Sequence, residues 1–205
     1  MNKYFITGIG TGVGKTVVAA AFTEALKADY WKPVQCGLEG GSDSSRVKQF
    51  VKNQVSVFHP ETFVFNEPAS PHLAALLEAK KLSSDQFILP NTQNSLIIEG
   101  AGGLLVPLNE HNYVIDLAAD FDAEVVLVCG DYLGCINHSL LSIDFLLKND
   151  FNLTTLVLNG NFHPEVKKAI INYAEIPKLI ELPKVEQINE EVIGNFAGLI
   201  KKQFN

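Results

Sequence analysis

Gly8–Thr16 reads GIGTGVGKT and follows directly on the apolar run Tyr4–Ile6. An apolar strand, a glycine-rich turn and Lys-Thr at the start of a helix form the context of a phosphate-binding loop. Glycines allow backbone N–H groups to turn toward an anion, and the predicted helix from Thr16 to about Lys27 adds the positive end of its dipole. Lys15 is expected to neutralise the β- and γ-phosphates of a nucleotide, and the hydroxyl of Thr16 to ligate magnesium.

The spacing of this loop departs from the common pattern G-x-x-x-x-G-K-[ST], in which the first glycine would stand at position 9. This chain has Ile9 there, and the glycine falls one residue earlier, at Gly8. We interpret the stretch as a variant phosphate-binding loop. The alternative is a strand-to-helix turn that binds nothing, which is disfavoured because Gly-Lys-Thr occurs together with the flanking strand and helix.

Composition restricts the class of protein. The chain has 205 residues, of which 47% are hydrophobic and 19% charged, and this predicts a single domain of a soluble globular protein over residues 1–205. With the phosphate-binding loop, we interpret it as a nucleotide-binding catalytic domain. A formal net charge of −7 argues against nucleic acid or an anionic membrane as a partner. The sequence has neither an apolar stretch of membrane-spanning length nor the layout of a signal peptide. Its three cysteines form no C-x-x-C pair, so a cytoplasmic protein without structural zinc is expected.

Strand-like and helix-like segments alternate along the chain. Further strands are predicted at about residues 29–31, 95–98, 124–129, 154–158 and 179–182. Further helices are predicted at about residues 43–52, 72–80, 133–148, 165–173 and 190–202. Pro33 and Gly37 predict a loop between residues 32 and 37, and the segment around Pro60 and Pro68 is predicted to be irregular. The alternation predicts an α/β fold, with a mainly parallel sheet flanked by helices on both faces.

Polar residues stand where the predicted strands end, which is where parallel sheets bind ligands. Glu99 ends an apolar strand and Asp43 heads a helix, so with Thr16 they offer oxygen ligands suited to magnesium. Each acid also has a structural explanation, Glu99 as a solvated strand end and Asp43 as a helix cap. Lys32 leaves the second strand at the same edge and either stabilises an anionic intermediate or lies in solvent. Asn159 either reads a base edge or forms an Asn-Gly turn.

Together these residues resemble the dethiobiotin synthetases, ATP-dependent carboxylases that form the ureido ring in biotin synthesis. The matching segments, in chain order, are Gly8–Thr16, Lys32–Val34, Ser42–Asp43, Glu67–His72, Glu99–Gly103, Gly134–His138 and Asn159. The phosphate-binding loop alone would be unspecific. The motifs Lys-Pro-Val, Glu-Gly-Ala-Gly-Gly and Gly-Cys-Ile-Asn-His in one small chain are specific to this family.

The resemblance implies a P-loop NTPase fold and a homodimer that binds its substrate near the subunit interface. The implied substrates are ATP, CO2 or bicarbonate, and 7,8-diaminononanoate, with Mg2+ as cofactor. One substrate amine takes up CO2 as a carbamate, and the carbamate oxygen attacks the γ-phosphate to give a carbamic-phosphoric anhydride. The second amine then closes the ring and releases phosphate. The protein mainly aligns anions and screens their repulsion.

The resemblance also implies residue roles. The catalytic residues would be Lys15, Lys32 and Thr11, and the metal ligands would be Thr16, Asp43 and Glu99. The nucleotide would contact Gly12, Val13, Gly14, Lys15, Thr16, Val17, Asp43, Glu99, Gly100, Ala101, Gly102, Asn159, Gly160, Pro183, Lys184 and Val185. Of these, Asn159 and Pro183–Val185 would hold adenine. The diamino acid would contact Thr11, Lys32 and Cys36 and, from the partner subunit, Leu133, Gly134, Cys135 and Asn137.

Two positions depart from the family pattern. Gly12 stands where many members carry an acidic residue, which affects contacts on the adenine or ribose side. Cys36 stands where a serine or threonine often touches substrate, and a thiol is a weaker hydrogen-bond donor. Neither departure removes a group that the chemistry needs.

Three other functions are compatible with a phosphate-binding loop, and the same residues argue against each. ParA/MinD-like switch ATPases carry a lysine early in the loop, where this chain has Gly10. A nucleotide-binding module without catalysis would have no need of Lys15 and the three expected metal ligands. Amidotransferase-type synthetases of the cobyrinate kind normally carry a glutaminase domain, for which 205 residues leave little room.

Overall fold

The protein is described by a computed structural model over residues 1–204, in which strands and helices alternate. The strands are β1 (Lys3–Gly8), β2 (Asp29–Trp31), β3 (Val34–Cys36), β4 (Phe63–Phe65), β5 (Leu96–Glu99), β6 (Glu124–Gly130), β7 (Leu153–Asn159) and β8 (Lys178–Leu182). The α-helices are α1 (Lys15–Leu26), α2 (Asp43–Phe50), α3 (Pro71–Leu77), α4 (Asp116–Asp120), α5 (Cys135–Lys148), α6 (Pro164–Ile171) and α7 (Glu190–Phe204).

The main sheet is parallel, with its six strands in the order β2-β5-β1-β6-β7-β8, and β3 and β4 form a separate parallel pair. Ile6 of β1 pairs with Glu99 of β5, and Trp31 of β2 pairs with Ile98 of β5. The carboxyl ends of these three strands therefore lie side by side. This register places the phosphate-binding loop, Lys32 and Glu99 at one edge of the sheet.

Helices cover both faces of the main sheet, which confirms the predicted α/β fold. Tyr4 and Ile6 of β1 pack into a core with α1 and α7, whereas Phe5 packs on the opposite face with α3, α4, α5 and α6. The alternation follows from the two-residue period of a strand. Because both faces are covered, the central strands are continuous apolar runs rather than alternating ones.

Two segments differ from the sequence-based prediction. Residues 34–36, predicted as loop, form β3 and pair with β4 in the segment predicted to be irregular. The carbonyl of Pro33 accepts a hydrogen bond from the backbone N–H of Phe63 at 3.0 Å, and the side chain of Phe65 is fully buried. Pro33 and Gly37 thus delimit a three-residue strand. Helix α4 was also not predicted, because five residues are too few to show helical periodicity.

None of the helices in residues 1–204 combines the length and hydropathy that crossing a bilayer requires.

Candidate active site

The phosphate-binding loop joins β1 to α1 and curves around the side chain of Lys15. The backbone of Gly12 and Gly14 is left-handed, with φ of 75° and 94°. Lys15 is buried, and its Nζ donates a hydrogen bond to the carbonyl of Gly10 at 2.8 Å. Burial lowers the pKa of this ammonium to about 8, although the nearby carboxylate of Glu99 opposes the shift. The ammonium therefore lies on the concave side of the loop, as expected of a phosphate-binding lysine.

Asn159 holds the loop against the end of β7. Its Nδ2 donates to the carbonyl of Val13 at 2.9 Å. A Cβ at Gly14 would lie only 2.1 Å from the same Nδ2, so this position has no room for a side chain. One N–H and the amide oxygen of Asn159 remain for the predicted contact with adenine. Sequence reasoning had not assigned Asn159 a part in shaping the loop.

Lys32 lies at the centre of a buried cluster of charges. Its Nζ is 2.9 Å from Oδ2 of Asp43, 3.1 Å from Oε1 of Glu99 and 3.2 Å from the carbonyl oxygen of Gly100. Burial disfavours the ammonium, but the two carboxylates outweigh that cost, so the pKa of Lys32 is raised. The sequence left two explanations for Lys32, and its burial excludes the one in which the side chain lies in solvent.

Glu99 joins this cluster to α1 and β2. Its side chain is buried, and Oε1 accepts hydrogen bonds from the Thr16 hydroxyl at 2.8 Å and from Lys32. The other oxygen, Oε2, accepts from the hydroxyl of Tyr30 at 2.8 Å. Burial and the neighbouring Glu99 raise the pKa of Tyr30 well above its ordinary value, so this hydroxyl keeps its proton. Glu99 is therefore a fully engaged buried acid and not a solvated strand end.

Asp43 begins α2 and faces the same cluster. The helix is capped by Ser42, whose Oγ accepts from the backbone N–H of Ser45 at 3.2 Å, so Asp43 is not needed as the cap. Burial opposes ionisation of Asp43, but the ammonium of Lys32 and the hydroxyl of Thr16 outweigh it and lower the pKa. The carboxylate is thus available as an anion at neutral pH.

Thr16, Asp43 and Glu99 supply a donor set that fits Mg2+. This ion usually binds through one or two carboxylates and completes its shell with water and phosphate oxygens. The ammonium of Lys32 already lies between the two carboxylates, which shows that the cluster accommodates a positive charge. In the described part of the chain no group of three or more His, Cys, Asp or Glu side chains is arranged for a metal.

A cleft of about 480 Å³ opens above this cluster. Its volume falls in the range of small-molecule sites. It brings together many of the sequence-predicted site residues, namely Thr11, Gly12, Gly14, Lys15, Thr16, Val17, Lys32, Cys36, Asp43, Glu99, Gly100, Ala101 and Gly102. Burial raises the pKa of the Cys36 thiol to about 11, so it faces this cleft as a neutral, weak donor.

Two residues of the site were not singled out from the sequence. Arg46 lines the same cleft, one helical turn after Asp43 on α2. The three-residue spacing between Asp43 and Arg46 on a predicted helix was a signal that the two side chains lie on the same face. Tyr30 lies on β2, two residues before Lys32. The two-residue period of a strand was the signal that both side chains lie on the same face.

A second cleft, of about 330 Å³, lies on the other side of the phosphate-binding loop. It brings together the remaining predicted nucleotide contacts, which are Val13, Asn159, Gly160, Pro183, Lys184 and Val185, and it shares Gly12 and Val17 with the first cleft. No atom of residues 1–204 outside the local chain would lie within 4 Å of a Cβ at Gly12. The missing acidic side chain at this position therefore leaves open space, while φ of 75° favours glycine there.

The residues expected to act from a partner subunit lie apart from the first cleft. Leu133, Gly134, Cys135 and Asn137 line a separate groove of about 810 Å³ at the start of α5. Leu133 is completely exposed, whereas Cys135 is buried. Within the described chain this groove and the cleft above Lys32 have no lining residue in common. One chain therefore does not bring these residues together with Lys32.

Comparison with known proteins shows the family to which the chain belongs. Residues 2–192 match the family model described as an AAA domain. The chain is 43% identical over 198 residues to the ATP-dependent dethiobiotin synthetase BioD of Cytophaga hutchinsonii, with 96% of each chain covered. It is also 43% identical over 202 residues to the protein of the same name from Christiangramia forsetii, covering 98% of this chain and 97% of the relative.

A solved structure shows the same fold at much lower sequence identity. A putative plasmid partition protein of Borrelia burgdorferi B31 bound to AMPPNP is similar with a TM-score of 0.58 and 12% identity. The similarity covers 99% of this chain and 98% of the other. At this identity it supports the fold alone.

Proposed function

The chain belongs to the family of ATP-dependent dethiobiotin synthetases, and we propose that it catalyses the ATP-dependent carboxylation and ring closure of 7,8-diaminononanoate to dethiobiotin, ADP and phosphate. The observation that carries this proposal is the buried cluster in which Lys32 meets Asp43 and Glu99 beside the phosphate-binding loop. A reaction that brings a carbamate against a triphosphate needs positive charge at the point where the two anions meet. Lys15, Lys32 and a cation held by Asp43 and Glu99 would supply it there.

The loop and the first turn of α1 would hold the triphosphate of ATP. Lys15 would exchange its hydrogen bond to the carbonyl of Gly10 for phosphate oxygens, and the free backbone N–H groups at the start of α1 would add further donors. The cleft lined by Asn159 and Pro183–Val185 would take the adenine. These contacts fix the γ-phosphate at the carboxyl edge of the sheet, next to Lys32.

Thr16, Asp43 and Glu99 would hold Mg2+ at this edge. When bound, the ion supplies positive charge against the phosphate oxygens. Lys32 would add a second positive charge on the side of the 480 Å³ cleft, where the diamino acid binds near Thr11 and Cys36. Because Lys32 is buried, its interactions with an anion are stronger than they would be in water.

The chemistry consists of three bond-forming steps on the substrates. An amine nitrogen of the diamino acid attacks CO2 and loses its proton to solvent, which gives a carbamate. The carbamate oxygen attacks the γ-phosphorus and ADP leaves. The second amine attacks the carbonyl carbon of the resulting carbamic-phosphoric anhydride, loses a proton to solvent, closes the ring and expels phosphate. Lys15 and Lys32 would stabilise the negative charge that accumulates in the second step, and Thr11 would orient the substrate beside the phosphate.

A homodimer would complete the site. The start of α5 presents Leu133 and Leu141, which are 104% and 61% exposed, in a groove that also includes Tyr132. Covering such a face with a second copy of the chain removes apolar area from water. In a symmetric pair, the α5 N-terminus of one chain would lie at the substrate cleft of the other and bind the substrate carboxylate through its backbone N–H groups. A cytoplasmic location, where thiols stay reduced, agrees with cysteines at positions 36, 129 and 135 that form no disulfide in the structure.

A coupled assay tests this function. Purified protein with Mg2+ and ATP should release phosphate only when both 7,8-diaminononanoate and bicarbonate are present, with one phosphate for each dethiobiotin formed. Phosphate release at the same rate without the diamino acid would contradict the proposal and favour the alternative, a switch ATPase of the ParA/MinD kind.

A further inference from the structure

Tyr30 lies on the same side of the sheet as the charged cluster. Tyr30 of β2 pairs with Ile97 of β5, and Glu99 lies two residues further along β5 on the same face. Lys32 directly follows β2, and its Nζ reaches Glu99 at 3.1 Å. Tyr30 and Ile97 pack into the core beneath α1. The ring of Tyr30 is completely buried, and its hydroxyl points along the sheet to Glu99, with 2.8 Å between Oη and Oε2.

The two oxygens of Glu99 have different surroundings. Oε1 faces the cleft side, where it accepts from the hydroxyl of Thr16 and the ammonium of Lys32. Oε2 faces the core, and within residues 1–204 the hydroxyl of Tyr30 is the group that donates to it. One oxygen is thus presented to the cation site and the other is held away from it.

A carboxylate has little rotational preference of its own. The last torsion of a glutamate joins an sp³ to an sp² carbon, and such torsions are broad and roughly two-fold. The orientation of the Glu99 carboxylate must therefore come from its hydrogen-bond partners. Thr16 and Lys32 would be rearranged when a cation and nucleotide bind, whereas Tyr30 belongs to the core and stays in place.

We propose that Tyr30 is a positioning residue whose hydroxyl sets the orientation of the Glu99 carboxylate and so presents Oε1 to the divalent cation. The inference rests on the proposed function only in taking Glu99 as a ligand of that cation. Outer-shell hydrogen bonds of this kind fix the geometry of metal ligands and strengthen binding. Without the hydroxyl, Oε2 would be buried without a partner and the carboxylate would turn to find one.

Tyr30→Phe removes the hydroxyl and keeps the ring in the core. The probe is Mn2+, whose binding to the protein–AMPPNP complex is measured from the EPR signal of the free ion. We expect the variant to bind Mn2+ about tenfold more weakly than the wild type, at the lower end of the usual effect of an outer-shell partner. The affinity for AMPPNP without a divalent cation should be unchanged, because Tyr30 acts through Glu99.

Tyr4→Phe is the matched control. Tyr4 is also a buried strand tyrosine in the core beneath α1, but its hydroxyl accepts a hydrogen bond from Asn2 at 3.3 Å, away from the charged cluster. This variant should bind Mn2+ like the wild type. If Tyr30→Phe binds Mn2+ within about twofold of the wild type, or if Tyr4→Phe weakens binding equally, the inference is wrong.

A double-variant cycle separates positioning from general loosening of the core. In a Glu99→Gln background, Tyr30→Phe should have no further effect on Mn2+ binding, because the carboxylate that it orients is gone. A full additional loss there would overturn the inference. These measurements use no diamino acid, so their outcome is independent of the coupled assay that tests the proposed function.

Discussion

The carboxyl edge of the sheet and the start of α5 carry two parts of the proposed site, and they differ in how fully one chain builds them. At the sheet edge, Lys32 and Glu99 are buried and satisfied by partners from other segments. At α5, Leu133 is completely exposed and Asn137 also faces solvent. Buried charges must be paired inside the fold, because an unpaired one is too costly. The exposed apolar groove is not covered within the chain. This difference is the reason for our proposal that one chain carries out phosphoryl transfer and a second recognises the substrate carboxylate.

The largest effect is expected at the sheet edge from Lys15→Ala. Removing the ammonium from the phosphate-binding loop should lower kcat/KM for ATP by about a thousandfold, because one preorganised positive charge against the phosphates is lost. Circular dichroism should show an unchanged fold. Lys48→Ala, an exposed position on α2, is the control and should retain activity. Near-normal turnover of Lys15→Ala would contradict the assigned role.

Lys32→Met should lower turnover by about a hundredfold and also destabilise the protein. Without the ammonium, the buried carboxylate of Glu99 is left beside that of the partly exposed Asp43 with no positive partner. Removing one partner of a buried ion pair generally costs about 3–5 kcal/mol. A divalent cation should then substitute for the lost charge, so Mg2+ should raise the Tm of this variant more than that of the wild type. Lys48→Met serves as control. A Tm of Lys32→Met that does not respond to Mg2+ would argue against a cation site between the two carboxylates.

The difference between the two regions also explains what could be predicted from the sequence. The alternation of strands and helices along the chain and the loop motif are local signals. The rule that ligands bind beyond the carboxyl ends of parallel strands was then sufficient to group Thr16, Asp43 and Glu99. The fold class and the positions of the long helices followed in the same way. The two-residue period of β2 places Tyr30 on the face of Lys32, but its pairing with Glu99, 69 positions away, depends on β2 lying next to β5 in the sheet, which no local pattern predicts. Strands β3 and β4 were missed because turn residues on both sides hide three-residue strands.

At α5 the expected effect is smaller and falls on a different kinetic parameter. Asn137→Ala should raise KM for the diamino acid by about tenfold or more and change kcat little, because it removes binding of a part of the substrate that does not react. Lys148→Ala, at an exposed position in the last turn of α5, is the control for general disturbance of the helix. A fall in kcat at unchanged KM would place Asn137 in the chemical step and contradict the division between the regions.

The smallest effect on activity is expected at the opposite end of β2. Asp29 is buried and accepts hydrogen bonds from Val57, Thr92 and Asn94 at 2.6–2.9 Å. Asp29→Asn should lower the free energy of unfolding by about 2 kcal/mol at neutral pH and leave kcat unchanged. A large loss of kcat would show that the sheet edge depends on more than its local charges.

The same residue gives a pH dependence with a defined sign. Burial opposes ionisation of Asp29, but hydrogen bonds from Asn94 and Thr92 outweigh it and lower its pKa below the ordinary value of about 3.9. Its stabilising contribution is therefore fully present above about pH 4 and is lost as the pH falls further. Urea unfolding at several pH values should show that the difference between wild type and Asp29→Asn shrinks as the pH falls below about 4.

Mixing two inactive variants tests most directly whether the two regions of one site come from different chains. Lys15→Ala disables the sheet edge and Asn137→Ala disables the α5 region, so each homodimer should be nearly inactive at low diamino acid concentration. In a heterodimer, one site would combine the intact sheet edge of one chain with the intact α5 of the other. After co-refolding at equal amounts, we expect activity to return to about a quarter of the wild-type value. No recovery, with heterodimers shown to form, would contradict the account, because both regions would then have to belong to the same chain.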